Sequence, residues 1–512
     1  MKFLLSFLSL LAGASSALAY PSVLFNGHHA LMIIGLTTLF FCILRSHRSA
    51  SHILLFLLGM NLAGYYWIPH TLREFGQIPY FPSLILGLCF TVILQPYLWV
   101  IIPLKKYSSK VFKSEVEANF FLAAFLVIFE LITPQLFPTF AGSTWLAHAP
   151  YVYLVPYVGV SLFSFFTYWL SIELAHSLSY KKIHLWPLMS CVLFFSLNFI
   201  PLKETKTQDE LKVRIVQANI GNFIKLSAES GSGIALENVI KTYETLSLKN
   251  LPAQTDLIVW PETAYPHTFR GLNSELDPSF LRIMNESNSD LLIGGYDQKD
   301  GTSSFDFFET IYNSSLLLSD KKVKSIYHKN LLLPFGETLP FGPLNRWIAE
   351  KIPAISLFAK GSGTPLMRTQ RGHTFITPIC YEILEPNYMR ELLRLQPETD
   401  FIINHTNDSW YGKTSEPHQH LFLAKWRAVE LQRPVIRSTN TGYSSIFFPN
   451  GLESKRIELG HEGTLDIKLP LKEKVTTVFS QYGHLPSLMI ILGIALFLLA
   501  KRRLKTSFKK IV

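Results

Sequence analysis

The sequence predicts a multi-span α-helical membrane bundle joined to an α/β domain, and three observations support this. Of the 512 residues, 48% are hydrophobic and only 16% are charged, a balance unlike that of an ordinary soluble enzyme. Eight apolar segments frame one long polar stretch. Within that stretch, strand-like runs alternate with helix-like runs.

Seven apolar segments precede the polar stretch and the eighth follows it. They are residues 3–19, 29–44, 52–69, 82–103, 118–138, 151–176, 185–201 and 485–500. Most reach the length of about 17–25 residues that crosses a hydrocarbon core, which predicts about eight spans. The predicted domains are a seven-span bundle over 1–201, a polar domain over 202–484, and a last span with a basic tail over 485–512.

The distribution of charge predicts the orientation of the bundle. Residues 202–484 hold 31 basic and 32 acidic side chains, so the net charge of +10 comes from the membrane part and nucleic-acid binding is excluded. Of the lysines and arginines in the short loops and tails, fifteen lie on one side and only Arg73 lies on the other. This positive-inside bias places both termini in the cytoplasm and the polar domain on the outer face.

The first apolar segment has two interpretations. It also has the features of a cleavable signal peptide, which are a positive charge at Lys2, an apolar run and the small-residue site Ala17-Leu18-Ala19. We favour a retained span because the link from Pro21 to His29 leads directly into the next segment. Cleavage would leave the polar domain on the same side.

The polar region predicts an α/β domain. The predicted strands are Lys212–Ala218, Leu257–Trp260, Leu291–Gly295, Ser314–Leu318, Thr374–Ile379, Phe401–Asn404 and Pro434–Thr439, with helices at Leu236–Leu248 and Gln419–Leu431. In open α/β sheets, functional groups gather at the carboxyl ends of strands.

Cys380 follows one of these strands, at the end of the run Thr374–Ile379. The other cysteines, Cys42, Cys89 and Cys191, lie in apolar segments, where a thiol behaves as a small hydrophobic group. Because the polar domain faces an oxidising compartment but has no second cysteine for an internal disulfide, Cys380 is either a buried filler or a nucleophile.

Two further strand ends carry ionisable groups. Glu262 follows the strand that ends at Trp260, and Lys329 follows Ser325–His328. A thiol with an ordinary pKa of about 8.5 attacks a carbonyl poorly without a base, and a fixed ammonium stabilises the oxyanion that forms. Glu262 alone is interpreted as a solvated carboxylate and Lys329 alone as a surface lysine, but together with Cys380 they predict a catalytic site.

Longer motifs carry a family resemblance. Three stretches resemble the three motifs of the nitrilase (carbon–nitrogen hydrolase) superfamily. They are Trp260-Pro261-Glu262, Lys329-Asn330 with Pro334-Phe335-Gly336-Glu337, and Cys380-Tyr381-Glu382. The eight-span frame resembles bacterial apolipoprotein N-acyltransferases. So do Thr406–Gly412, Gln419-His420, Arg427-Ala428, Glu430, Arg433-Pro434 and Arg437–Gly442.

The resemblance implies an α-β-β-α sandwich on the periplasmic face of a bacterial inner membrane. It implies Glu262 as general base, Lys329 as stabiliser of the tetrahedral intermediate and Cys380 as nucleophile. It further implies that Glu337 and Glu382 support the site. The same resemblance places Tyr381 and Trp410 near an acyl pocket.

The implied reaction is a ping-pong acyl transfer. Cys380 takes the sn-1 acyl chain of a phospholipid as a thioester and passes it to the α-amino group of a diacylglyceryl-cysteine on a lipoprotein. One departure from the family pattern is Leu226, where a tryptophan is common. No cofactor or metal is expected, and we interpret His418 and His420 as structural because no third ligand is evident.

The apolar run Leu344–Phe358, with Trp347 and Phe358, has two readings. It is either an arm that dips into the membrane interface and gates lipid entry, or an ordinary core helix.

Two other functions remain open at this stage. One is a membrane-anchored amidase that uses the same three residues with water as acceptor. The other is a transporter or sensor whose outer domain only binds ligand, for which Glu130 and Glu173 within apolar segments offer a polar path.

Overall fold

The computed structural model describes residues 2–74, 76–112, 114–135, 137–201, 206–229, 231–299, 310–339, 341–351 and 357–511. The chain divides into two compact units. The first comprises Met1–Pro69, Tyr80–Leu202 and Thr477–Val512, and the second comprises His70–Pro79 and Lys203–Thr476.

The first unit is helical, and every predicted apolar segment contains helix. Its longer helices are Lys2–Ala17, His29–Leu44, Ser49–Gly64, Tyr80–Cys89, Ile101–Val111, Glu115–Ile132, Val155–Tyr180, Leu185–Leu197 and Leu485–Ile511. Short 3-10 helices occupy Phe90–Ile93, Pro96–Val100 and Ala141–His148. The predicted helical bundle is thus confirmed as helical structure.

Few of these helices are long and apolar enough to cross a membrane unaided. Within the described residues Val155–Tyr180 alone qualifies, and the number rises to three if two bent pairs each count as one span. The pairs are Ser49–Gly64 with Ile68–Glu74, bent by 56°, and Tyr80–Ile93 with Pro96–Tyr107, bent by 48°. Pro96 lacks the N–H that would continue the second pair as one helix. Eight spans therefore remain a prediction.

Two buried carboxylates of the first unit are hydrogen bonded inside it. Glu130 accepts a hydrogen bond from the N–H of Ala141 at 2.8 Å and from the hydroxyl of Tyr168 at 2.8 Å. Glu173 lies 2.8 Å from the Nδ1 atom of His184. These contacts give both carboxylates a structural role, which removes the main support for a transport path.

Among its described residues, the second unit contains twelve strands in two sheets. They are β1 (Thr207–Gln217), β2 (Leu257–Val259), β3 (Thr268–Phe269), β4 (Asp290–Gln298), β5 (Ile311–Ser319), β6 (Lys322–His328), β7 (Met367–Arg368), β8 (Thr374–Ile376), β9 (Phe401–Thr406), β10 (Val435–Thr439), β11 (Ser445–Phe447) and β12 (Gly463–Lys472). The first sheet has the order β12-β1-β2-β4-β5-β6, with β3 beside β4. The second has the order β11-β10-β9-β8-β7.

Side-chain alternation along the strands builds the layers. Leu257 and Val259 of β2 belong to a core that also contains Phe375 and Ile403 from the second sheet, so the two sheets pack face to face. Ile258, between them in sequence, points to the opposite face and joins a second core.

Helices cover the outer faces of both sheets. Helices Gly233–Leu248 and Pro278–Ser287 supply residues to the second core, on the outer face of the first sheet. Helix Glu416–Leu431 packs on β10 and contacts helix Pro386–Leu395. The resulting layers form the α-β-β-α sandwich that the resemblance implies.

All seven predicted strands are present, although their ends differ by a few residues. Ser325–His328 is the predicted end of β6, whereas β3, β7, β11 and β12 are not among the predicted strands. The longest of these, β12, is an edge strand in which the apolar side chains of Leu465, Ile467, Leu469 and Leu471 alternate with polar residues and Pro470. The four apolar side chains belong to or pack against the core between the sheets, so β12 carries the alternation of a half-buried strand although it is not among the predicted strands.

Candidate active site

The structure places the three predicted residues at strand ends of the sandwich. Glu262 follows β2 and Lys329 follows β6, both in the first sheet, while Cys380 follows β8 in the second. Their exposed fractions are 6%, 1% and 8% respectively. A carboxylate, an ammonium and a thiol are thus all withdrawn from bulk water, where their mutual interactions are strong.

The backbone at Glu262 is held close to β4. A Cβ atom on Gly294 would lie 2.3 Å from the carbonyl oxygen of Pro261 and 2.6 Å from the Cα of Glu262, so only glycine permits this approach. Thr263 follows with φ +49°, and its hydroxyl accepts a hydrogen bond from the buried ammonium of Lys225. Lys225 is a second lysine near Glu262 that the sequence analysis missed.

Lys329 is bound by two carboxylates. Its Nζ atom lies 2.8 Å from Oε1 of Glu337 and 3.4 Å from Oε1 of Glu262. Burial opposes its charge, but Glu337 and Glu262 outweigh burial and raise the pKa of Lys329 above its ordinary value. Lys329 is therefore a fixed cation at neutral pH.

Asn313 of β5 links the same two carboxylates. Its Nδ2 atom donates a hydrogen bond to Glu262 at 2.8 Å and another to Glu337 at 3.0 Å. The backbone carbonyl oxygen of Asn313 accepts the backbone N–H of Lys329 at 2.9 Å. Asn313 is not among the predicted site residues because it lies inside a strand, although a polar run in an otherwise apolar strand marks its position.

Cys380 lies on a strained turn. Its φ is +51°, a left-handed conformation that costs a residue with a Cβ of the order of 1 kcal/mol, and it begins the 3-10 helix Cys380–Leu384. Burial and the charge of Glu262 raise the pKa of the Cys380 thiol well above its ordinary value, with Lys329 acting in the opposite direction. The thiol is therefore neutral at pH 7 until a base removes its proton.

The buried side-chain amide of Asn404 is hydrogen bonded to this turn. Asn404 of β9 donates hydrogen bonds from Nδ2 to the carbonyl oxygens of Pro378 at 3.1 Å and Cys380 at 3.3 Å. Its Oδ1 atom accepts from Arg437 at 2.8 Å, and Arg437 also lies 3.0 Å from Asp408. The fixed guanidinium sets the orientation of the amide, since Oδ1 must face the donor.

Glu382 joins the cysteine turn to the lysine loop. One oxygen accepts from the N–H of Ile379 at 2.7 Å and from the hydroxyl of Tyr327 at 2.7 Å. The other accepts from the N–H groups of Asn330 at 2.7 Å and Leu331 at 2.8 Å. Four donors satisfy a carboxylate that is fully buried, so Glu382 is held rigidly.

An open pocket of about 670 Å³ adjoins these loops. Tyr381, Leu331 and Phe358 line it together with Glu385 and Tyr388. The hydroxyl of Tyr381 donates to Glu385 at 2.9 Å. Tyr381 thus lies in a pocket wall, and its place near an acyl site stays a prediction.

The other residues singled out from the sequence lie in different settings. Trp410 is half-buried in the 3-10 helix Asp408–Tyr411. Trp347 lies on helix Asn345–Lys351 and is 61% exposed, whereas Phe358 is half-buried and stacks on Tyr296. Residues 352–356 of the proposed arm and the side chain of Leu226 lie outside the described residues.

The two histidines of helix Glu416–Leu431 have nearby polar groups. His418 lies 3.2 Å from the hydroxyl of Tyr443. His420 lies 3.4 Å from Asp408 and 3.5 Å from Glu416. Asp408 already has the guanidinium of Arg437 beside it, so these contacts form a buried charge network next to the cysteine turn.

Two family models match the chain. The carbon-nitrogen hydrolase model matches residues 212–474, and the model of the apolipoprotein N-acyltransferase N-terminal domain matches residues 12–172. A protein of Bdellovibrio bacteriovorus named apolipoprotein N-acyltransferase is 31% identical over 468 residues, which cover 85% of this chain and 82% of that protein. The chain belongs to the apolipoprotein N-acyltransferase family.

Further relatives agree with this assignment. The apolipoprotein N-acyltransferase of Haemophilus ducreyi is 27% identical over 450 residues, which cover 83% of each protein. The chain is accordingly an enzyme, an N-acyltransferase with a carbon-nitrogen hydrolase catalytic domain. Membership of the apolipoprotein N-acyltransferase family implies a bacterial inner-membrane protein.

Solved structures of the nitrilase superfamily are similar to the catalytic domain. A Saccharomyces cerevisiae member has a TM-score of 0.35 and 17% identity, covering 52% of this chain and 93% of that one. A mutant amidase of Nesterenkonia has a TM-score of 0.33 and 13% identity, covering 52% and 94%. Because these TM-scores are low, the fold assignment rests on the family model and the strand order.

Proposed function

We propose that this apolipoprotein N-acyltransferase moves the sn-1 acyl chain of a phospholipid through a thioester on Cys380 to the α-amino group of a diacylglyceryl-cysteine on a lipoprotein. The observation that carries the proposal is the placement of Cys380. Cys380 carries a buried thiol on a strained turn, and the charges of Glu262 and Lys329 act on this thiol. The chain belongs to a family of N-acyltransferases.

The first half of the reaction is thioester formation. Glu262 removes the proton of Cys380, which burial keeps on the thiol at neutral pH. The thiolate attacks the ester carbonyl, and the bond to the glycerol oxygen then breaks. Glu262 returns the proton to that oxygen, so a lysophospholipid leaves and a thioester remains.

Lys329 stabilises the negative charge that forms on the carbonyl oxygen. An ammonium fixed in a water-excluded site is effective because it needs no reorganisation as the charge develops. Glu337 and Asn313 act as positioning residues: Glu337 orients the ammonium, and Asn313 holds Glu337 and Glu262 together.

The second half transfers the acyl chain. The α-amino group of the lipoprotein attacks the thioester carbonyl, Glu262 accepts the proton of the amine, and the thiolate of Cys380 leaves. The products are an amide and the free enzyme, with the proton returned to sulfur. Because the first product leaves before the second substrate reacts, the kinetics are ping-pong.

The membrane part explains why a hydrolase fold serves as a transferase. We place the chain in the membrane with about eight spans, cytoplasmic termini and a periplasmic catalytic domain, on the strength of the charge bias in the short loops. Both substrates are lipid-anchored, and each buried CH₂ group contributes about 0.8 kcal/mol to that anchoring. The active site must therefore work at the membrane surface.

The pocket beside Tyr381 is the proposed site for the reacting part of the lipid. Exposed Trp347 and the half-buried Phe358 belong to the segment that we propose as the lipid-gating arm. Phe358 connects the two features, because it lines the pocket and its N–H donates to the carbonyl of Glu337 at 3.0 Å.

Two-substrate kinetics test this function. With a phospholipid and a diacylglyceryl-cysteine peptide, we expect double-reciprocal plots with parallel lines and one lysophospholipid released for each peptide acylated. Intersecting lines would contradict the thioester route. Ammonia release from a small amide at a comparable kcat/KM, with no peptide acylation, would instead identify an amidase.

A further inference from the structure

A cluster of polar side chains in the helical unit has the composition of a metal site. Glu115 begins helix Glu115–Ile132, His176 lies four residues before the end of helix Val155–Tyr180, and His184 immediately precedes helix Leu185–Leu197. One ligand atom from each of the three residues lies within 4.8 Å of the other two. Two imidazoles and a carboxylate are ligands that Zn²⁺ prefers in proteins.

The distances within this cluster suit a shared ion better than hydrogen bonds. Oε2 of Glu115 lies 3.6 Å from Nε2 of His176 and 3.7 Å from Nε2 of His184. A charge-assisted hydrogen bond would bring these atoms to about 2.7–2.9 Å. Two ligands on a tetrahedral zinc ion, with bonds of about 2.0–2.1 Å, lie about 3.3–3.5 Å apart.

A buried carboxylate orients one of the two imidazoles. Nδ1 of His184 lies 2.8 Å from Oε2 of Glu173, which is 1% exposed, and the other oxygen of Glu173 accepts from Asn119 at 3.2 Å. The proton of His184 therefore lies on Nδ1, and the lone pair of Nε2 faces Glu115. Histidine ligands of metals are commonly held in this way by a carboxylate.

The second imidazole is buried, and its nearest acidic group lies just beyond hydrogen-bond distance. His176 is 4% exposed, and its Nε2 atom lies 3.6 Å from Oε2 of Glu115. A metal ion between these two atoms would give Nε2 a direct partner.

We propose that Glu115, His176 and His184 bind a Zn²⁺-class transition-metal ion, with water in the fourth position and Glu173 as the positioning carboxylate. The ion would link the three helices near their ends. Lys182, which is 61% exposed, lies 2.6 Å from Oε2 of Glu115 and competes for the same oxygen. The proposal departs from the expectation that the chain binds no metal, and it does not depend on the catalytic proposal.

This cluster differs from that of Asp408, Glu416 and His420 in the catalytic domain. There, Arg437 lies 3.0 Å from Asp408 and already supplies a buried positive charge. At Glu115 the competing cation is an exposed lysine side chain, which can move into solvent.

Metal titration of the full-length protein in detergent tests the proposal. After chelator treatment, we expect one equivalent of Co²⁺ to bind with the intense visible absorption of a tetrahedral site, and Zn²⁺ to displace it. His176→Ala and His184→Ala should weaken Co²⁺ binding at least about 100-fold, and Glu173→Gln about 10–100-fold. Lys182→Ala should tighten binding, because it removes the competitor for Glu115.

Two controls locate the effect. His47→Ala changes an exposed histidine in a loop of the same unit and should leave Co²⁺ affinity unchanged, as should Cys380→Ala in the catalytic domain. Absence of binding in the natural protein would overturn the proposal. Undiminished binding in both histidine variants would also overturn it. Weaker binding in Lys182→Ala would do the same, and this variant tests the proposal even if a histidine variant does not fold.

Discussion

The carboxylate of Glu382 accepts the backbone N–H of Asn330 at 2.7 Å, so the residue two positions after the cysteine holds the loop that carries Lys329. The same carboxylate accepts the N–H of Ile379, immediately before Cys380. The relative position of nucleophile and ammonium thus depends on one buried side chain. An error of about 1 Å in such an arrangement can cost about 10²-fold in rate.

Glu382→Gln should therefore impair both stability and catalysis. Each carboxylate oxygen of Glu382 accepts two hydrogen bonds, so the NH₂ group of the glutamine must face two donors. Each hydrogen bond to the charged group that is lost costs about 1.5–3 kcal/mol. We expect a lower thermal midpoint and a fall in acyl transfer of about 10²-fold. The matched control is Glu391→Gln, which breaks an exposed ion pair with Arg394 and should change neither quantity measurably.

Asn313→Asp tests the link between Glu262 and Glu337. A third carboxylate would replace the amide that donates to both, so three acids would share the single charge of Lys329. One of them would take up a proton, and the base would be weakened, which should slow thioester formation by about 10²-fold. Asn450→Asp, at an exposed turn, is the control. Equal rates of thioester formation in the two variants would show that the Asn313 bridge has no catalytic role.

The pH dependence of stability should report on His405. Burial lowers the pKa of His405 to about 4, below the ordinary value of about 6.5. Between these values the unfolded chain binds the proton and the folded chain does not, so stability falls as pH falls from about 6.5 to about 4. The full effect is about 3 kcal/mol.

His405→Gln removes this titration and should flatten the decline of the thermal midpoint between pH 7 and pH 4.5. His267→Gln replaces an exposed histidine of the same domain and should leave the decline as in the natural protein. A decline of the same steepness in His405→Gln would assign the acid sensitivity to other groups.

Trp347→Ser tests the gating arm. The ring is 61% exposed, so its loss should leave the thermal midpoint unchanged while slowing acyl transfer from phospholipid vesicles several-fold. Transfer from a short-chain phospholipid dissolved as monomer should be unaffected. Leu272→Ser, at another exposed apolar position, is the control. A fall in thermal midpoint that matched the loss of rate would favour a core role for this helix.

The three proposed catalytic residues could be singled out from the sequence because each follows a strand of recognisable pattern. The pattern before Cys380 predicts a strand to Ile379, but β8 ends at Ile376, because Pro378 lacks a ladder donor and Cys380 turns left-handed. Asn313 could not be assigned, since its importance depends on two carboxylates that are distant in sequence.

The structure of the membrane segments could also be predicted only in part from the sequence. Each apolar segment that hydropathy marks contains helix, but hydropathy cannot report a bend. Segment 82–103 appears continuous in composition, yet the helix breaks at Pro96. The role of Glu382 was also only partly predictable, because three of its four donors, on Tyr327, Asn330 and Leu331, are distant from it in sequence.

The central claim is that Cys380 carries the acyl chain, and intact-protein mass spectrometry after incubation with phospholipid alone tests it most directly. We predict a mass gain of one acyl group that hydroxylamine removes and that Cys380→Ala lacks. No adduct on the natural protein, with phospholipid shown to bind, would contradict the account, as would an adduct that persists in Cys380→Ala.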